Sequence, residues 1–528
     1  MRAKDPSVDV AADMEAGGLR ASMNWLHTWT GVVLGGLLFA IFWTGTLSVF
    51  DKEIDRWMMP ATRIAPAPLP SLDSIEAQVR QLAPGARQWF LFLPNHREPM
   101  MQLRIPKSRH DSILRHIDPT TGRFLEDPQT LGGTGFFYAF HKELRIEFMM
   151  LGRWIVCLAG IAMLVLGFSG IIIHKKLFTD FFTLRIVPKP QRTTLDLHVV
   201  AGLLGLPFNV LMPLFSLIII TYLLLPTPGA VVYQASPVAY LSDTFELFGR
   251  PPTGKPGRLA SLDAMTADAM RRWDGETPRY IQVINAGDAA AVVHFARALD
   301  YGVKAPSDSL DFDGATGKLI HETHRKPLMT IQRFISGVHV INFEHWPLRW
   351  LYYVLGLLGC GMISSGMLFW VQSRRKRHAK LGLRSGNAVE RITIGSTTGI
   401  MLATLAYLIA NRAVPPDMPH RIDAEIWSFY IAWIAGFAHA ALRPRIQSAW
   451  VEQLWAVAVG ALAAMLLNAL TTGMAIPMAI SSGHVAVAGV DCVLMAGAVA
   501  AAAAALRLGR RWRVMPLPVG QELEPRNA

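Results

Sequence analysis

The sequence predicts a polytopic α-helical membrane protein with about eight spans, the first four of which form a duplicated core. Three observations favour this fold class. Only 17% of the 528 residues are charged and the mean hydropathy is +0.30, values typical of membrane proteins. Apolar runs of about 20 residues, the length that crosses a bilayer, occur eight times. Motifs of the first half also return in the second half.

The predicted spans separate short loops from two long segments. The first apolar run follows 26 mostly polar residues and is too long for the apolar part of a signal peptide, so we expect it to be retained. The four core spans are placed at 27–50, 149–174, 198–225 and 349–372, and four additional spans, within 393–507, at 393–411, 425–442, 451–472 and 485–507.

The distribution of lysine and arginine predicts the orientation of the chain. Cytoplasmic loops carry an excess of both residues, and the segments after the second, fourth and eighth spans are the richest in them. The net charge of +12 follows from this topology and gives no reason to expect a nucleic-acid partner. We expect a cytoplasmic N-terminal segment 1–26, cytoplasmic loops 175–197 and 373–392, a cytoplasmic tail 508–528, and two long segments, 51–148 and 226–348, on the outer side of the membrane.

Both of these outer segments predict a small α+β module with the same order of elements. An amphipathic helix, near Ser74 or Ser261, precedes two strand-like runs and then a hairpin. The hairpins share an Asp-led turn that ends in glycine, at 118–122 and 313–317, where the backbone needs a positive φ.

Four histidines occupy matching places in the two halves. His27 opens the first span and His198 the third, within the related runs LHTWTGVVLGG and LHVVAGLLGLP. His141 precedes the second span and His339 the fourth. Histidine is costly within a bilayer, and its imidazole nitrogen is a strong ligand for iron. The matched positions therefore predict haem held between helices.

The duplication also predicts which histidines face each other. If the halves pack about an axis along the membrane normal, His27 faces His198 and His141 faces His339. Each pair then supplies two axial nitrogens to one haem, an arrangement suited to electron transfer. We expect two b-type haems without covalent links, because no Cys-x-x-Cys-His motif occurs.

Two further histidines leave the ligand assignment open. His174 ends the second span and is an alternative to His27 or His198. His345 follows six residues after His339 and either binds haem, lines the site or lies in the membrane interface.

Glycines on the spans that begin with His27 and His198 have two interpretations. Small residues let membrane helices pack closely, and they also leave room for a flat porphyrin against the backbone. The glycines concerned are Gly31, Gly35, Gly36, Gly45, Gly202 and Gly205.

The joint pattern of span, module with an Asp-x-x-Thr-Gly turn, histidine and span resembles the PepSY-associated transmembrane family of iron-regulated inner-membrane proteins. The resemblance covers about residues 20–380 and implies two periplasmic PepSY-like modules in a bacterial inner-membrane protein. It further implies b-type haem and the reduction of ferric siderophores. Residues 385–528 lie outside it, and the sequence assigns them no role.

These observations together predict a haem-dependent ferric-siderophore reductase that passes electrons across the lipid bilayer and releases Fe(II) in the periplasm. No catalytic residue besides the haem ligands is expected. The glycine-rich run at 356–361 lies within a span and follows no strand, so it is no dinucleotide motif. The donor is therefore expected to be membrane quinol or a separate protein. The alternative is a non-enzymatic membrane regulator whose PepSY-like modules bind an envelope peptide or protein.

Overall fold

The computed structural model describes residues 6–108, 112–174, 190–224, 248–297, 303, 308–323, 327–341 and 343–513. The predicted cytoplasmic loop 175–197 is therefore described only from 190 onward, and the start of the segment 226–348 and most of the tail 508–528 lie outside the described residues. Within the described part, helices dominate and the strands form one sheet.

The helices of the first half begin with a long one that contains the first predicted span. The chain then alternates short helices with strands before the second long helix. The elements are α1 (Pro6–Ser48), α2 (Asp51–Met58), a 3-10 turn (Pro60–Thr62), α3 (Leu72–Leu82), β1 (Gln88–Phe92), β2 (Met101–Pro106), β3 (Ser112–Ile117), a π-helical turn (Thr134–Tyr138), α4 (Ala139–Glu143), a second 3-10 turn (Phe148–Met150) and α5 (Leu151–Ile173).

The second half repeats this order, and further helices follow it. The repeat comprises α6 (Pro190–Leu204), α7 (Leu206–Leu224), α8 (Leu262–Arg272), β4 (Pro278–Ile284), β5 (Val292–Arg297), β6 (Ser309–Asp313), β7 (Leu319–Glu322), α9 (Pro327–Val340) and α10 (Trp346–Lys380). The helices beyond it are α11 (Ser385–Ser396), α12 (Thr398–Ala413), α13 (Arg421–Leu442), α14 (Ile446–Thr472), α15 (Ile476–Ser481) and α16 (Val485–Arg513).

Eight spans were predicted, and this number is not confirmed. By length and composition, six helices of the described residues can cross a membrane: Gly18–Ser48, Phe148–Ile173, Trp346–Lys380, Ser385–Ala413, Ile446–Thr472 and Val485–Arg511. The predicted span 198–225 is instead a pair of helices, α6 and α7, bent by 62° at their junction, which gives a seventh if it counts as one span. The predicted span 425–442 falls on α13, whose apolar run is diluted by Glu425 and His439 and does not reach the same apolarity.

Each module contains the predicted helix and the two strands after it, and the hairpin of the first module has one strand, β3, with a single bridge between Ile117 and Phe124. The modules are not separate. All seven strands form one antiparallel sheet in the order β3-β2-β1-β4-β5-β6-β7. The halves join where β1 pairs with β4, with Phe90 opposite Gln282 and Leu91 opposite Ile281. The physical reason is that each half alone would leave the backbone groups of β1 or β4 unpaired at an edge.

Helices α3 and α8 cover one face of this sheet over a shared apolar core. Its buried side chains include Trp89, Leu91, Ile281, Val283 and Phe295. Each helix start is capped by the other half. The carboxylate of Asp73 accepts from the backbone N–H of Leu262 at 2.6 Å, and that of Asp263 accepts from Leu72 at 2.6 Å.

The Asp-led turns have the predicted conformation. The backbone N–H of Gly122 donates to the carbonyl of Asp118 at 2.8 Å, and Gly122 has φ +66°. In the second half Gly317 donates to Asp313 at 2.8 Å with φ +71°. A residue with a Cβ is strained in this region, which explains the shared glycine.

The described chain forms two compact units, one made of 1–43, 172–203 and 360–528 and the other of 44–171 and 204–359. The candidate span Ser385–Ala413 in the first unit, which comprises α11 and α12, is the most enclosed of the candidate spans, and α12 packs against α13 and α14. Trp43 on α1 donates its indole N–H to Thr404 on α12 at 2.9 Å. The helices outside the predicted repeat therefore support α1 laterally.

Candidate functional site

The first predicted histidine pair lies within one unit. His27 on α1 and His198 on α6 are both half-buried, and their ring centroids are 6.1 Å apart with an interplanar angle of 79°. The first turns of α6 are bonded to α10, because the hydroxyl of Thr194 donates to the amide oxygen of Gln372 at 3.1 Å. The two rings are thus neighbours on fixed helices.

The second predicted pair lies within the other unit. His141 on α4 and His339 on α9 have ring centroids 6.3 Å apart with an interplanar angle of 27°. The helix α9 packs against α7, while α4 continues the π-helical turn, whose side chains Phe136 and Phe137 are buried. Burial and the neighbouring His141 lower the pKa of His339 to about 4, so this imidazole is neutral at physiological pH.

Both separations fit two imidazoles that share one metal ion. A ligating imidazole nitrogen lies about 2 Å from the metal, so two rings on opposite sides of one iron have centroids roughly 6 Å apart. The two pairs therefore meet the distance that axial ligation of a haem requires. Their role as haem ligands stays a prediction.

The orientation of His198 favours ligation through Nε2. Its Nδ1 lies 2.8 Å from the carbonyl oxygen of Met362 on α10. A carbonyl only accepts hydrogen bonds, so Nδ1 carries the hydrogen and Nε2 keeps a free lone pair. Hydrogen bonds of this kind orient metal-binding histidines and set their tautomer.

A glycine lies against the imidazole of His198. A Cβ at Gly366, one turn after Met362, would be 2.8 Å from both Cε1 and Nδ1 of the ring. Only glycine therefore permits the ring to approach α10 closely enough to reach the Met362 carbonyl.

His141 of the second pair also lies against a glycine, in this case on α1. A Cβ at Gly45 on α1 would be 2.7 Å from Cε1 and Nδ1 of His141. Other glycines support the packing interpretation, since Gly35 faces Met367 and Gly202 faces Met362. Gly45 instead makes room for a histidine ring, a role that neither sequence interpretation contained.

A buried ionic network lies in the same unit as the His141–His339 pair. Glu53 on α2 accepts from Arg97 at 3.0 Å and from Arg349 at 2.6 Å. Burial opposes the charge of Glu53, but Arg97 and Arg349 together hold its pKa below the ordinary value. The rings of Phe50 and Trp346 cover the Arg349 guanidinium at 4.5 and 5.0 Å, a cation–π arrangement that stabilises a buried cation.

The alternative ligands have different surroundings. His345 is exposed and precedes α10, where its Nδ1 accepts from the backbone N–H of Leu348 at 3.4 Å. This is the position of a helix cap. His174 follows α5, is half-buried and lies near enough to His198 for their charges to interact. His174 therefore remains beside the first pair.

Within the described part of the chain, no group of three or more His, Cys, Asp or Glu side chains could hold a metal ion.

The sheet carries a polar cluster that the sequence reasoning missed. Asp311 is fully buried and accepts from His294 Nδ1 at 2.8 Å and from His321 Nδ1 at 3.0 Å. The three residues lie opposite one another on β5, β6 and β7. Polar residues at alternating positions of otherwise apolar strands were the available signal.

The model of a protein family described as the PepSY-associated TM region matches residues 24–373 of this chain. The chain belongs to the PepSY-associated transmembrane family. The predicted resemblance is thereby confirmed, and the family region includes both histidine pairs and ends before α11. PA4219 of Pseudomonas aeruginosa, an uncharacterized protein, is similar to this member of the family, with 26% identity over 314 residues, 54% of this chain and 76% of that protein.

Proposed function

We propose that this integral membrane protein is a haem-containing oxidoreductase that transfers electrons across the membrane to a ferric siderophore. The observation that carries the proposal is the pair of histidine pairs, each with ring centroids about 6 Å apart. Each pair lies within one unit and contains one ring fitted against a glycine.

The residues of the chain hold the imidazoles in place before any cofactor binds. A haem held by the two imidazoles of a pair would supply an iron that gains and loses one electron. His198 is oriented by the Met362 carbonyl and by the absence of a side chain at Gly366. His141 is fitted against Gly45. Rigid ligands favour electron transfer because the surroundings rearrange little between oxidation states.

The His141–His339 pair is the one we assign to substrate reduction. It belongs to the same unit as the seven-stranded sheet, and the lysine and arginine distribution favours a periplasmic position for that sheet. Both termini are then cytoplasmic, and the membrane is the bacterial inner membrane. The His27–His198 pair would hold the haem that takes electrons from membrane quinol or a separate donor.

The proposed reaction adds one electron to the Fe(III) of the chelate and yields Fe(II). Hard oxygen donors hold Fe(III) more strongly than Fe(II), so the electron loosens the complex without bond cleavage in the siderophore. The family membership supports this substrate class through the resemblance to iron-regulated proteins described above.

The test is the absorption spectrum of the purified protein and its response to a ferric chelate. We expect about two b-type haems per chain by pyridine haemochrome assay, a Soret band that shifts on reduction, and reoxidation of the reduced protein by ferric siderophore but not by the iron-free siderophore. A colourless protein from cells supplied with iron and haem would contradict the proposal.

The same experiment separates the alternative, a non-enzymatic regulator. The observation that favours it is a half-buried aromatic row on the sheet face opposite the helices, with Phe90, Phe92 and Tyr280 in contact across β1 and β4. Such rings are typical of binding surfaces for peptides or proteins. A colourless protein that retains an envelope protein partner would support this function.

A further inference from the structure

Two aspartates and a threonine form a cluster where α2 packs against the π-helical turn. The hydroxyl oxygen of Thr134 lies 2.6 Å from Asp55 Oδ2 and 2.9 Å from Asp51 Oδ2. The backbone N–H of Thr134 donates to Asp55 Oδ1 at 3.0 Å. Asp55 is 6% exposed, so water does not satisfy its carboxyl group. We call these three residues the Asp–Thr–Asp cluster.

The number of hydrogens in the cluster does not fit two ionised carboxylates. A threonine hydroxyl has a single hydrogen, and an ionised carboxylate only accepts. One hydroxyl hydrogen serves one of the two carboxylates, and the other contact then brings two oxygen lone pairs together. A proton on one carboxyl group removes this conflict, because that group then donates to the threonine oxygen.

The surroundings decide which carboxyl group holds the proton. Asp51 accepts from the backbone N–H of Lys52 at 2.8 Å and from Arg97 at 3.1 Å, and both contacts stabilise its negative charge. Asp55 has no ion pair among the residues that the structure describes, and the nearby Lys52 ammonium pairs with Glu98 at 2.9 Å.

The pKa of Asp55 agrees with this assignment. Burial raises it to about 6, against the opposing charge of Lys52 and with the support of the negative charge of Asp51. The other charged groups on the packed elements, Glu53 with Arg97 and Glu98 with Lys52, are already paired.

We propose that the Asp–Thr–Asp cluster is a proton-binding site. Asp55 holds the proton and through it donates a hydrogen bond to the hydroxyl oxygen of Thr134, and the Thr134 hydroxyl donates its own hydrogen to Asp51. Only the proton is exchanged with solvent, and no other bond forms or breaks. This site is independent of the proposed haem chemistry, since it consists of residues of α2 and the π-helical turn.

The site acts on the segment that carries His141. Thr134 opens the π-helical turn, which continues without a break into α4, where His141 lies. When the proton leaves, the Thr134 hydroxyl keeps one carboxylate partner and the two negative charges repel each other at the start of this segment. Proton occupancy therefore stabilises the attachment of the His141 segment to α2.

Infrared difference spectroscopy tests the proposal on the full-length protein. The wild-type protein should show the absorption of a protonated carboxyl group that disappears with a midpoint near pH 6, as the pKa of Asp55 requires. Asp55→Asn should lose this band because it lacks the carboxyl group, and its amide can still donate to Thr134 as the protonated acid does. Asp423→Asn, at an exposed position, should keep the band with the same midpoint.

Hydrogen–deuterium exchange provides the second measurement. At pH 8 the wild-type peptide 134–143 should exchange faster than the same peptide of Asp55→Asn, while at pH 5 the two should match. A wild-type spectrum without a carboxyl band that titrates between pH 5 and 7 would overturn the proposal, even if Asp55→Asn failed to fold. Equal exchange of wild type and folded Asp55→Asn at pH 8 would overturn the link to the His141 segment.

Discussion

The two histidine pairs have similar separations but different supports. His27 and His198 lie on α1 and α6, helices that belong to predicted spans, and one carbonyl on α10 orients His198. His141 and His339 lie on the short helices α4 and α9, in the unit that holds the sheet and the buried ionic network.

The difference indicates how each pair keeps its geometry. The first pair relies on regular helix packing, as in the contact between Gly202 and Met362. In the second pair, His141 follows an irregular segment that the Asp–Thr–Asp cluster attaches to α2, the helix that also carries Glu53 of the buried ionic network. We therefore expect the second pair to respond to pH and to loss of charge, and the first to respond mainly to side-chain size.

The largest expected effect is the loss of one pair at a time. The double variant His141→Ala/His339→Ala should lose about one haem per chain and the reduction of ferric chelate, while the remaining haem is still reduced by the donor. The double variant His27→Ala/His198→Ala should lose the other haem and block entry of electrons. Pyridine haemochrome assay and stopped-flow reduction measure both outcomes.

The control for this comparison is His420→Ala, at an exposed position in the turn before α13. It should keep both haems and full activity. Unchanged chelate reduction in a folded His141→Ala/His339→Ala protein would remove the proposed route through the second pair.

The next effect is expected at the buried ionic network, and it should differ between the two histidine pairs. Glu53→Gln leaves Arg349 buried without its ion-pair partner and leaves Arg97 with Asp51 as its remaining partner. It should lower the free energy of unfolding by about 3–5 kcal/mol. It should disturb the second pair first. Denaturant titration gives the stability, and haem content at partial denaturation shows which pair is lost. Loss of the haem at His27 and His198 before the other would contradict the comparison.

The same substitution predicts a change in pH dependence. Arg97 and Arg349 hold the pKa of Glu53 below its ordinary value in the folded protein, although burial opposes them. The stabilisation is therefore fully present above the unfolded pKa of about 4.3 and is lost as the pH falls through the folded value. The stability difference between wild type and Glu53→Gln should shrink in acid, and a constant difference from pH 7 downward would contradict this.

A moderate effect is expected at the two glycines that lie against a histidine ring, one in each pair. Gly45→Ala and Gly366→Ala each place a Cβ within 2.7 or 2.8 Å of a histidine ring, and overpacking of this kind costs about 1–3 kcal/mol. Each should weaken haem binding only at its own pair. The matched control is Gly361→Ala, on the same helix as Gly366, because an added Cβ at Gly361 would meet no other side chain within 4 Å. This variant should be silent in both haem content and thermal stability.

The smallest effect is expected at the two helix caps, which are equivalent in the two halves of the chain. Asp73→Ala and Asp263→Ala each remove a cap that the other half provides at 2.6 Å, and loss of a helix cap costs about 1 kcal/mol. Because the two contacts are equivalent, thermal unfolding midpoints should fall by the same amount. A marked difference between the two midpoints would show that the halves of the sheet differ in stability. The difference between the two histidine pairs would then have its origin in the sheet.

Much of the local structure followed from sequence pattern. The helix near Ser74, the strands after it and the Asp-led turns at 118–122 and 313–317 all depend on neighbouring residues, and the structure has them as predicted. The four histidines were found because a duplication places them at matching positions, and repetition is visible in a sequence without any knowledge of contacts.

The span count was less accessible. A window of hydropathy reads 198–225 as one apolar run, whereas the structure bends the chain by 62° between α6 and α7. The break falls at Gly205, two residues before Pro207. Glycine and proline are typical of helix ends and helix starts, but a mean hydropathy does not register them. The charged and imidazole groups of α13, Glu425 and His439, likewise weaken its span signal.

The sequence by itself determined the membrane class, the duplicated order of elements and the identity of the four histidines, because apolar length, periodicity and repetition are properties of neighbouring residues. Only the tertiary structure decided that β1 pairs with β4 in a single sheet, that Gly45 and Gly366 lie against imidazole rings, and that Thr134 lies between Asp51 and Asp55. Each of these contacts joins residues far apart in the chain. These contacts are determined by packing and by the need to satisfy buried polar groups. Neither requirement can be predicted from neighbouring residues in the sequence.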